Sequence, residues 1–131
     1  MIIYRLMSQS PIKTHSIYMS NYILNISDGK DNKNPISVDL LSIKKSALIL
    51  RALNHKLRQQ ILRLIADKGT VTVTEIYVKL RLEQSVASQH LAILRKAGFV
   101  KTKRDGKFIY YAPNLTRIRQ INQITQTIAG N

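Results

Sequence analysis

The length, composition and charge of the chain limit the classes of protein to which it can belong. Its 131 residues suffice for one ordinary domain with a terminal extension, but not for two domains. A formal charge of +14, with 44% hydrophobic residues, predicts a folded core beneath a strongly basic surface that favours polyanions, nucleic acid first. The absence of cysteine excludes disulfides, thiolate metal sites and thiol nucleophiles within the chain.

The N-terminal sequence predicts neither export nor membrane insertion. The opening MIIYRLMSQSPIK has a short apolar start that Arg5 interrupts, and it lacks the apolar stretch of a signal peptide. The longest fully apolar run elsewhere, Ala47 to Leu50, is far shorter than the roughly 20 residues that span a bilayer. We therefore expect a soluble cytoplasmic protein that makes no membrane contact.

Residues 1–35 are predicted to form a flexible N-terminal extension, and residues 36–131 the folded domain. The extension ends in the polar stretch SDGKDNKNP, whose Asp-Gly and Asn-Pro pairs indicate a linker. Several apolar residues before the linker fit neither helical nor strand spacing, so we predict no regular structure for them: Ile17, Tyr18, Tyr22, Ile23, Leu24 and Ile26. Met19 is either the true start of translation or an ordinary residue of this extension.

Helical periodicity begins at Ser37. The apolar residues of this first helix form one stripe, which two further residues widen: Leu40, Ile43, Ala47 and Leu50, with Leu41 and Leu48. A surface helix needs only one apolar face. The additional apolar residues therefore predict contact with a second subunit as well as with the core of the same chain.

Two further helices follow. The second is predicted to begin after Asn54 as N-cap and to end at Gly69, with Arg58 and Arg63 on its outward side. Its inward residues are Leu57, Ile61, Leu64 and Ile65. The third helix is short, is capped by Thr72 or Thr74, and carries Ile76 and Leu80 at i, i+4 spacing before a break from Arg81 to Gln84.

The fourth helix, from about Gln84 to Ala97, has two different faces. Ala87, Leu91 and Leu94 form its apolar stripe, and Gly98 ends it. The opposite stripe contains small or hydrogen-bonding side chains and no carboxylate: Ser85, Ser88, Gln89 and Ala92. Such a face can lie closely against the edges of bases.

A β-hairpin and a last helix complete the chain. Asp105-Gly106 predicts a type I′ turn between two strands, with the cations Lys103, Arg104 and Lys107 at the tip. The last helix has an apolar edge that we expect to pair with another subunit: Leu115, Ile118, Ile121, Ile124 and Ile128.

This order of elements predicts a mainly α fold, a winged helix-turn-helix with a two-stranded β-hairpin wing, which dimerises through its first and last helices. The fourth helix would enter the major groove of double-stranded DNA, and the wing would reach the flanking phosphates. The predicted DNA-binding residues are Gln84, Ser85, Val86, Ser88, Gln89, His90, Arg95, Lys103, Arg104 and Lys107. The predicted dimerisation residues are Leu40, Leu41, Leu48, Ile118, Ile121 and Ile124.

We interpret the lone His90 as a hydrogen-bonding partner of backbone or phosphate rather than as a metal ligand or pH switch.

The stretches ALNHKLRQQILRLI and SVASQHLAILRKAGFVKTKRDGKFIYY resemble the arsenic-repressor (ArsR) family of bacterial winged-helix regulators. The resemblance extends from about Leu40 to Ile128 and is most specific in SQHL, residues 88–91, and the following LRKAGFV. It implies a homodimer that blocks transcription at an imperfect palindrome, with the two recognition helices about 34 Å apart.

Many members of that family release DNA when a metal binds, but this chain lacks their ligands. The resemblance places the family's paired cysteines at Thr72 and Thr74, whose hydroxyls are poor ligands for soft metals. The alternative site in the last helix requires Asp, His and Glu, and Leu115 to Ile128 contains none of these. We therefore predict no metal and no cofactor. The sequence leaves three alternatives for what controls DNA binding: a small molecule between subunits, a protein partner, or changes in the protein's own concentration.

Three other functions are alternatives to a sequence-specific regulator. Catalysis is not expected, because the acidic residues are isolated and the chain has neither a Gly-rich phosphate loop nor a Ser-His-acid arrangement. A non-specific architectural DNA-binding protein would need the same charge but no groove-reading helix. A protein-interaction module could use the same fold without binding DNA.

Overall fold

The computed structural model describes residues 22–27, 29–30 and 33–131. The chain divides into two compact units, Met1–Ala47 and Leu48–Asn131. The predicted division between residues 35 and 36 stays a prediction, and Ile17, Tyr18 and Met19, for which predictions were made, lie outside the described residues. No helix in the described part of the chain is long and apolar enough to cross a membrane.

The first unit contains a β-hairpin that the sequence did not predict. Strand β1 (Ile23–Ile26) pairs antiparallel with β2 (Ile36–Asp39). The register places aliphatic side chains on one face, with the pairs Leu24 with Val38 and Ile26 with Ile36. On the other face, Ser37 Oγ donates a hydrogen bond to Asn25 Oδ1 at 2.7 Å. The expectation of no regular structure is therefore wrong for residues 23–26, because a partner strand that is distant in sequence leaves no local signal in a four-residue segment.

Helix α1 (Leu40–Leu53) begins at Leu40 rather than at Ser37. Asp39 fixes this start, since its Oδ1 accepts hydrogen bonds from the backbone N–H groups of Leu41 and Ser42 at 3.0 and 3.2 Å. The hydrogen bonds with Ser42 also hold the pKa of the Asp39 carboxyl below its usual value.

Helix α2 (Lys56–Lys68) is capped one residue later than predicted. The N-cap is His55 and not Asn54: the imidazole Nδ1 of His55 accepts a hydrogen bond from the backbone N–H of Arg58 at 3.4 Å. The predicted end at Gly69 is confirmed, because this residue has a φ of +82° and donates its N–H to the Ile65 carbonyl at 2.8 Å.

A short strand, β3 (Val71–Thr72), leads into helix α3 (Val73–Leu80). Of the two predicted caps, Thr72 is the one used. Its hydroxyl accepts the N–H of Glu75, and the Glu75 carboxylate accepts the N–H of Thr72 at 2.7 Å. This capping box fixes the direction in which α3 leaves the sheet.

Helix α4 (Gln84–Lys96) is followed by the wing, strands β4 (Val100–Asp105) and β5 (Phe108–Pro113), and by helix α5 (Leu115–Ala129). The sheet order is β3-β5-β4, so β3 adds a third strand to the predicted hairpin.

The hairpin is confirmed, but its turn is shifted by one residue. Asp105 pairs with Phe108, which leaves Gly106 and Lys107 at the centre. Gly106 has a φ of +60°, and among the described non-glycine residues only Arg81 has a positive φ. This pattern is typical of a type II′ turn rather than type I′.

The core of the second unit lies among α2, α3, α4 and the sheet. Its fully buried large side chains are Phe99, Ile61, Ile65, Ile76, Leu91, Leu94 and Val71. The prediction that Arg58 points outward is wrong, because this residue is only 8% exposed. Arg58 lies three, four and seven residues before Ile61, Leu62 and Ile65, and therefore on the buried stripe of the helix. The predicted fold class, a mainly helical winged helix-turn-helix, is confirmed.

Candidate nucleic-acid interface

The turn between α3 and α4 sets the direction of the fourth helix. Arg81 ends α3 in the left-handed conformation, with φ +54° and ψ +48°. The backbone N–H of Leu82 then bonds to the Tyr77 carbonyl at 2.9 Å, and the Leu82 side chain packs against the core. Because the turn is this short, α4 starts at a fixed angle to α3, as in a helix-turn-helix.

The two faces of α4 differ in burial as predicted. Ala87, Leu91 and Leu94 are fully buried against the core. Every residue of the opposite stripe is exposed: Ser85, Ser88, Gln89 and Ala92. Gln84 is also exposed, and Val86 is half-buried at the border of the two faces. The stripe is therefore open to a partner along two turns of helix.

The polar side chains of this stripe hold no partner within the described part of the protein. Gln84, Ser85, Ser88 and Gln89 form no side-chain hydrogen bond with any other described residue. Their amides and hydroxyls can both donate and accept. The face thus presents uncharged hydrogen-bonding groups to solvent.

Arg58 attaches α4 to the preceding helices. Its Nε donates to the carbonyl of Ala52 at 2.5 Å, and its Nη2 donates to the carbonyl of Arg51 at 3.2 Å. Its Nη1 lies 3.3 Å from Nδ1 of His90 on the recognition helix. One buried guanidinium therefore joins the end of α1, the first turn of α2 and the middle of α4.

The structure pairs the half-buried His90 with a side chain, Arg58, rather than with a backbone group. Its predicted contact with phosphate stays a prediction. Its ring centroid is 5.0 Å from that of His55, with the rings tilted by 45°. Burial lowers the pKa of the His90 imidazole below its ordinary value of 6.5, and the neighbouring His55 and Arg58 add to the decrease.

The wing carries cations that are accessible to solvent. Lys103, Arg104 and Lys107 are all exposed, as predicted for groups that reach phosphates. Arg104 Nε donates to the Gly106 carbonyl at 3.3 Å, which leaves its terminal nitrogens available. Lys107 Nζ lies 5.8 Å from the ring centroid of Phe108.

Charge is distributed unevenly along the candidate surface. The segment from Gln84 to Arg104 contains five Lys and Arg residues and no carboxylate. Arg95 is exposed in the last turn of α4, beside Lys96. Since α4 and the wing are consecutive, this segment forms a positive region that polyanions would approach.

The two positions at which the resemblance places paired cysteines hold threonines. Thr72, one of the two corresponding positions, uses its hydroxyl in the capping box with Glu75. Thr74, the other, is exposed and offers a hydroxyl in place of a thiolate. Within residues 22–27, 29–30 and 33–131, no group of three or more His, Cys, Asp and Glu is placed to hold a metal ion.

The predicted dimerisation residues differ in exposure. Leu41 and Leu48 on α1 and Ile124 on α5 are exposed, and Leu40 is half-buried. Ile118 and Ile121 are also half-buried and pack against the core of their own chain. The exposed edge of α5 includes Ile128, which is 74% exposed.

Sequence reasoning missed Arg58 and His55 as parts of this site. The position of Arg58 on the buried stripe of α2 was the available signal. No local signal indicated His55 as a cap, because histidine is not a preferred N-cap residue and Asn54 stands next to it.

Comparisons with known proteins agree with this arrangement. A model of bacterial regulatory proteins of the arsR family matches residues 55–102, from the cap of α2 through α4 into the wing. The chain is 33% identical over 85 residues to an uncharacterized HTH-type transcriptional regulator of Methanocaldococcus jannaschii, a match that covers 65% of this chain and 96% of that protein.

Two solved regulators resemble both the sequence and the fold. The structure of HlyU from Vibrio cholerae, a transcriptional activator, has a TM-score of 0.54 at 29% identity and covers 69% of this chain and 97% of its own. The structure of the transcriptional repressor PagR of Bacillus anthracis has a TM-score of 0.54 at 30% identity, and the match covers 66% of this chain and 99% of that one. Together with the helix-turn-helix geometry, these similarities show that the chain belongs to the arsR family of bacterial regulatory proteins, and its relatives are HTH transcriptional regulators.

Proposed function

We propose that the chain is a sequence-specific DNA-binding repressor that acts as a homodimer on a palindromic operator. The observation that carries this proposal is the outer stripe of α4, which is exposed, uncharged and without hydrogen-bond partners among the described residues. A surface helix that is not used for contact has little reason to exclude charge, whereas a helix that reads base edges requires neutral donors and acceptors.

The chemistry of the stripe matches the major groove of DNA. This groove is about 12 Å wide and admits one α-helix. The amides of Gln84 and Gln89 can form paired hydrogen bonds with adenine, and Ser85 and Ser88 can donate or accept. The aliphatic side chain of Val86, at the border of the stripe, can contact a thymine methyl group.

Cations beside the stripe would hold the DNA backbone without reading sequence. We assign this role to Arg95, Lys103, Arg104 and Lys107, all of which are exposed. Each phosphate that they neutralise releases counterions, so the logarithm of affinity should fall with that of salt concentration by about 0.9 per contact. His90 completes the proposed set through its place on α4.

A homodimer would place two copies of α4 on successive turns of DNA. The exposed aliphatic residues of α1 and α5 support this part of the proposal, since burial between two subunits would remove them from water. A dimer with twofold symmetry requires a palindromic site. Such a complex would exclude other proteins from the same promoter, which is how we propose that it represses.

We further propose that the protein has no enzymatic activity and does not respond to metals through the family's usual sites. The chemistry of Thr72 and Thr74 supports the second point, because neither hydroxyl replaces a thiolate. The cytoplasm, where bacterial DNA is located, is the proposed place of action.

Selection of bound duplexes from a random library tests the proposed function. We expect enrichment of an imperfect palindrome whose half-sites are about 10 base pairs apart, because that spacing brings two symmetric helices to one face of DNA. A library passed through the same steps without protein is the control. Binding without enrichment would contradict the proposal in favour of an architectural DNA-binding protein, and the absence of binding would favour a protein-interaction module.

A further inference from the structure

Two imidazoles and one guanidinium meet where α4 contacts the beginning of α2. Arg58 Nη1 is 3.3 Å from His90 Nδ1, and the backbone N–H of Arg58 donates to His55 Nδ1 at 3.4 Å. The two rings lie 5.0 Å apart. In the part of the chain that the structure describes, none of these three residues forms an ion pair with a carboxylate. We call Arg58, His55 and His90 the histidine cluster.

The contact between Arg58 and His90 requires the His90 imidazole to be neutral at Nδ1. Arginine has donors and no acceptor, so the His90 Nδ1 that faces it must carry a lone pair. His55 Nδ1 accepts the backbone N–H of Arg58 and so places the second ring beside this contact. Protonation of His90 at Nδ1 would replace an acceptor with a donor and place a second cation beside the buried Arg58.

We propose that the histidine cluster positions α4 for DNA only while the imidazole of His90 is neutral, so that affinity for DNA falls in acid. This inference rests on the proposed function. His90 follows Ser88 and Gln89 directly in the recognition helix, so a shift of its ring moves the residues assigned to base contact. His55 and Arg58 therefore act as positioning residues.

The direction of the pH effect follows from linkage. The charged and titratable groups that face His90 are His55 and Arg58 from the start of α2, while α1 contributes the carbonyls of Arg51 and Ala52. Because burial and these cations lower the pKa of His90, a conformation in which the cluster is open binds the proton first. The closed arrangement is therefore fully stable above 6.5 and loses stability as the pH falls through that value.

This direction is opposite to the simplest electrostatic expectation. A basic protein whose histidines become charged near phosphates should bind DNA more strongly in acid. A loss of affinity in acid therefore indicates that the histidine cluster, and not net charge, dominates the response.

The test measures the affinity of the full chain for a labelled duplex of the selected sequence between pH 7.5 and 5.5, at constant ionic strength. We expect about a tenfold loss for the wild-type protein. The variant His90→Gln, whose amide can accept a hydrogen bond but does not titrate, should change by less than about twofold relative to its own affinity at pH 7.5. The control His15→Gln, which removes the third histidine of the sequence, should keep the wild-type profile.

Several results would overturn the inference. They are a flat or rising wild-type affinity in acid, a tenfold loss that persists in His90→Gln, and a loss of helical circular dichroism by the wild type at pH 5.5. If His90→Gln does not fold, an NMR titration of the His90 imidazole in the wild-type protein decides: we expect its protonation to accompany the loss of affinity, and a ring that stays neutral across the loss contradicts the proposal. Binding at pH 7.5 with a flat profile rejects this inference alone, whereas no binding at any pH rejects the proposed function.

Discussion

Replacement of Arg58 by methionine is expected to lower the free energy of unfolding by about 3 kcal/mol. The guanidinium is almost fully buried and donates to the carbonyls of Ala52 and Arg51, which methionine would leave without this partner. In a protein of this size, the loss corresponds to a decrease in Tm of about 10 °C. Thermal and urea denaturation, followed by circular dichroism, measure both quantities.

Arg63 provides a matched control on the same helix. Its side chain is 85% exposed, and its ion pair with Asp67 has an N···O distance of 3.9 Å. The substitution Arg63→Met should therefore cost less than about 0.5 kcal/mol. Equal effects of the two substitutions would show that Arg58 does not join the helices as described. Arg58→Lys should recover little stability, because an ammonium group cannot reproduce the fixed fork of the guanidinium.

Replacement of Gln89 by glutamate is expected to weaken binding to the selected duplex about 100-fold, which corresponds to roughly 3 kcal/mol. The change removes the amide donor from the outer stripe of α4 and places a carboxylate where we propose that bases and phosphates lie. Because Gln89 is exposed and has no described hydrogen-bond partner, the fold should be unaffected. Fluorescence anisotropy titrations measure the effect.

Gln126→Glu makes the same chemical change and the same change in net charge on the exposed surface of α5. It should weaken binding less than about threefold, since α5 is not assigned to DNA contact and exposed charges outside the contact are screened by salt. Similar losses in both variants would indicate that net charge alone controls DNA binding. A loss confined to Gln89→Glu supports direct contact by α4.

Much of the fold could be predicted from the sequence because its signals are local. The buried stripe of Ala87, Leu91 and Leu94 repeats with helical spacing, and a turn sequence marks the wing. The exposed stripe of α4 was predicted for the same reason, since the two faces of one helix are fixed relative to each other. The order of these elements along the chain then predicted the winged helix-turn-helix, and the family resemblance agreed with it.

The remaining features depend on contacts between residues distant in sequence. The pairing of β1 with β2 joins two four-residue segments, each too short to be distinguished from a loop. The burial of Arg58 depends on two carbonyls at the end of α1 and on His90, 32 residues later. The positive charge of Arg58 predicted an outward position, although its helical spacing indicated the core. Tertiary hydrogen bonds outweighed the general preference of arginine for solvent.

Mapping of backbone amide chemical shifts on addition of the selected duplex tests most directly whether α4 reads DNA. We expect the largest changes on Ser85 to Ala92, with a second group around Gly106 and Lys107 at the wing tip. The exposed side of α2 near Arg63 and Asp67 should change little. Large changes on that side of α2, with α4 unaffected, would contradict the account.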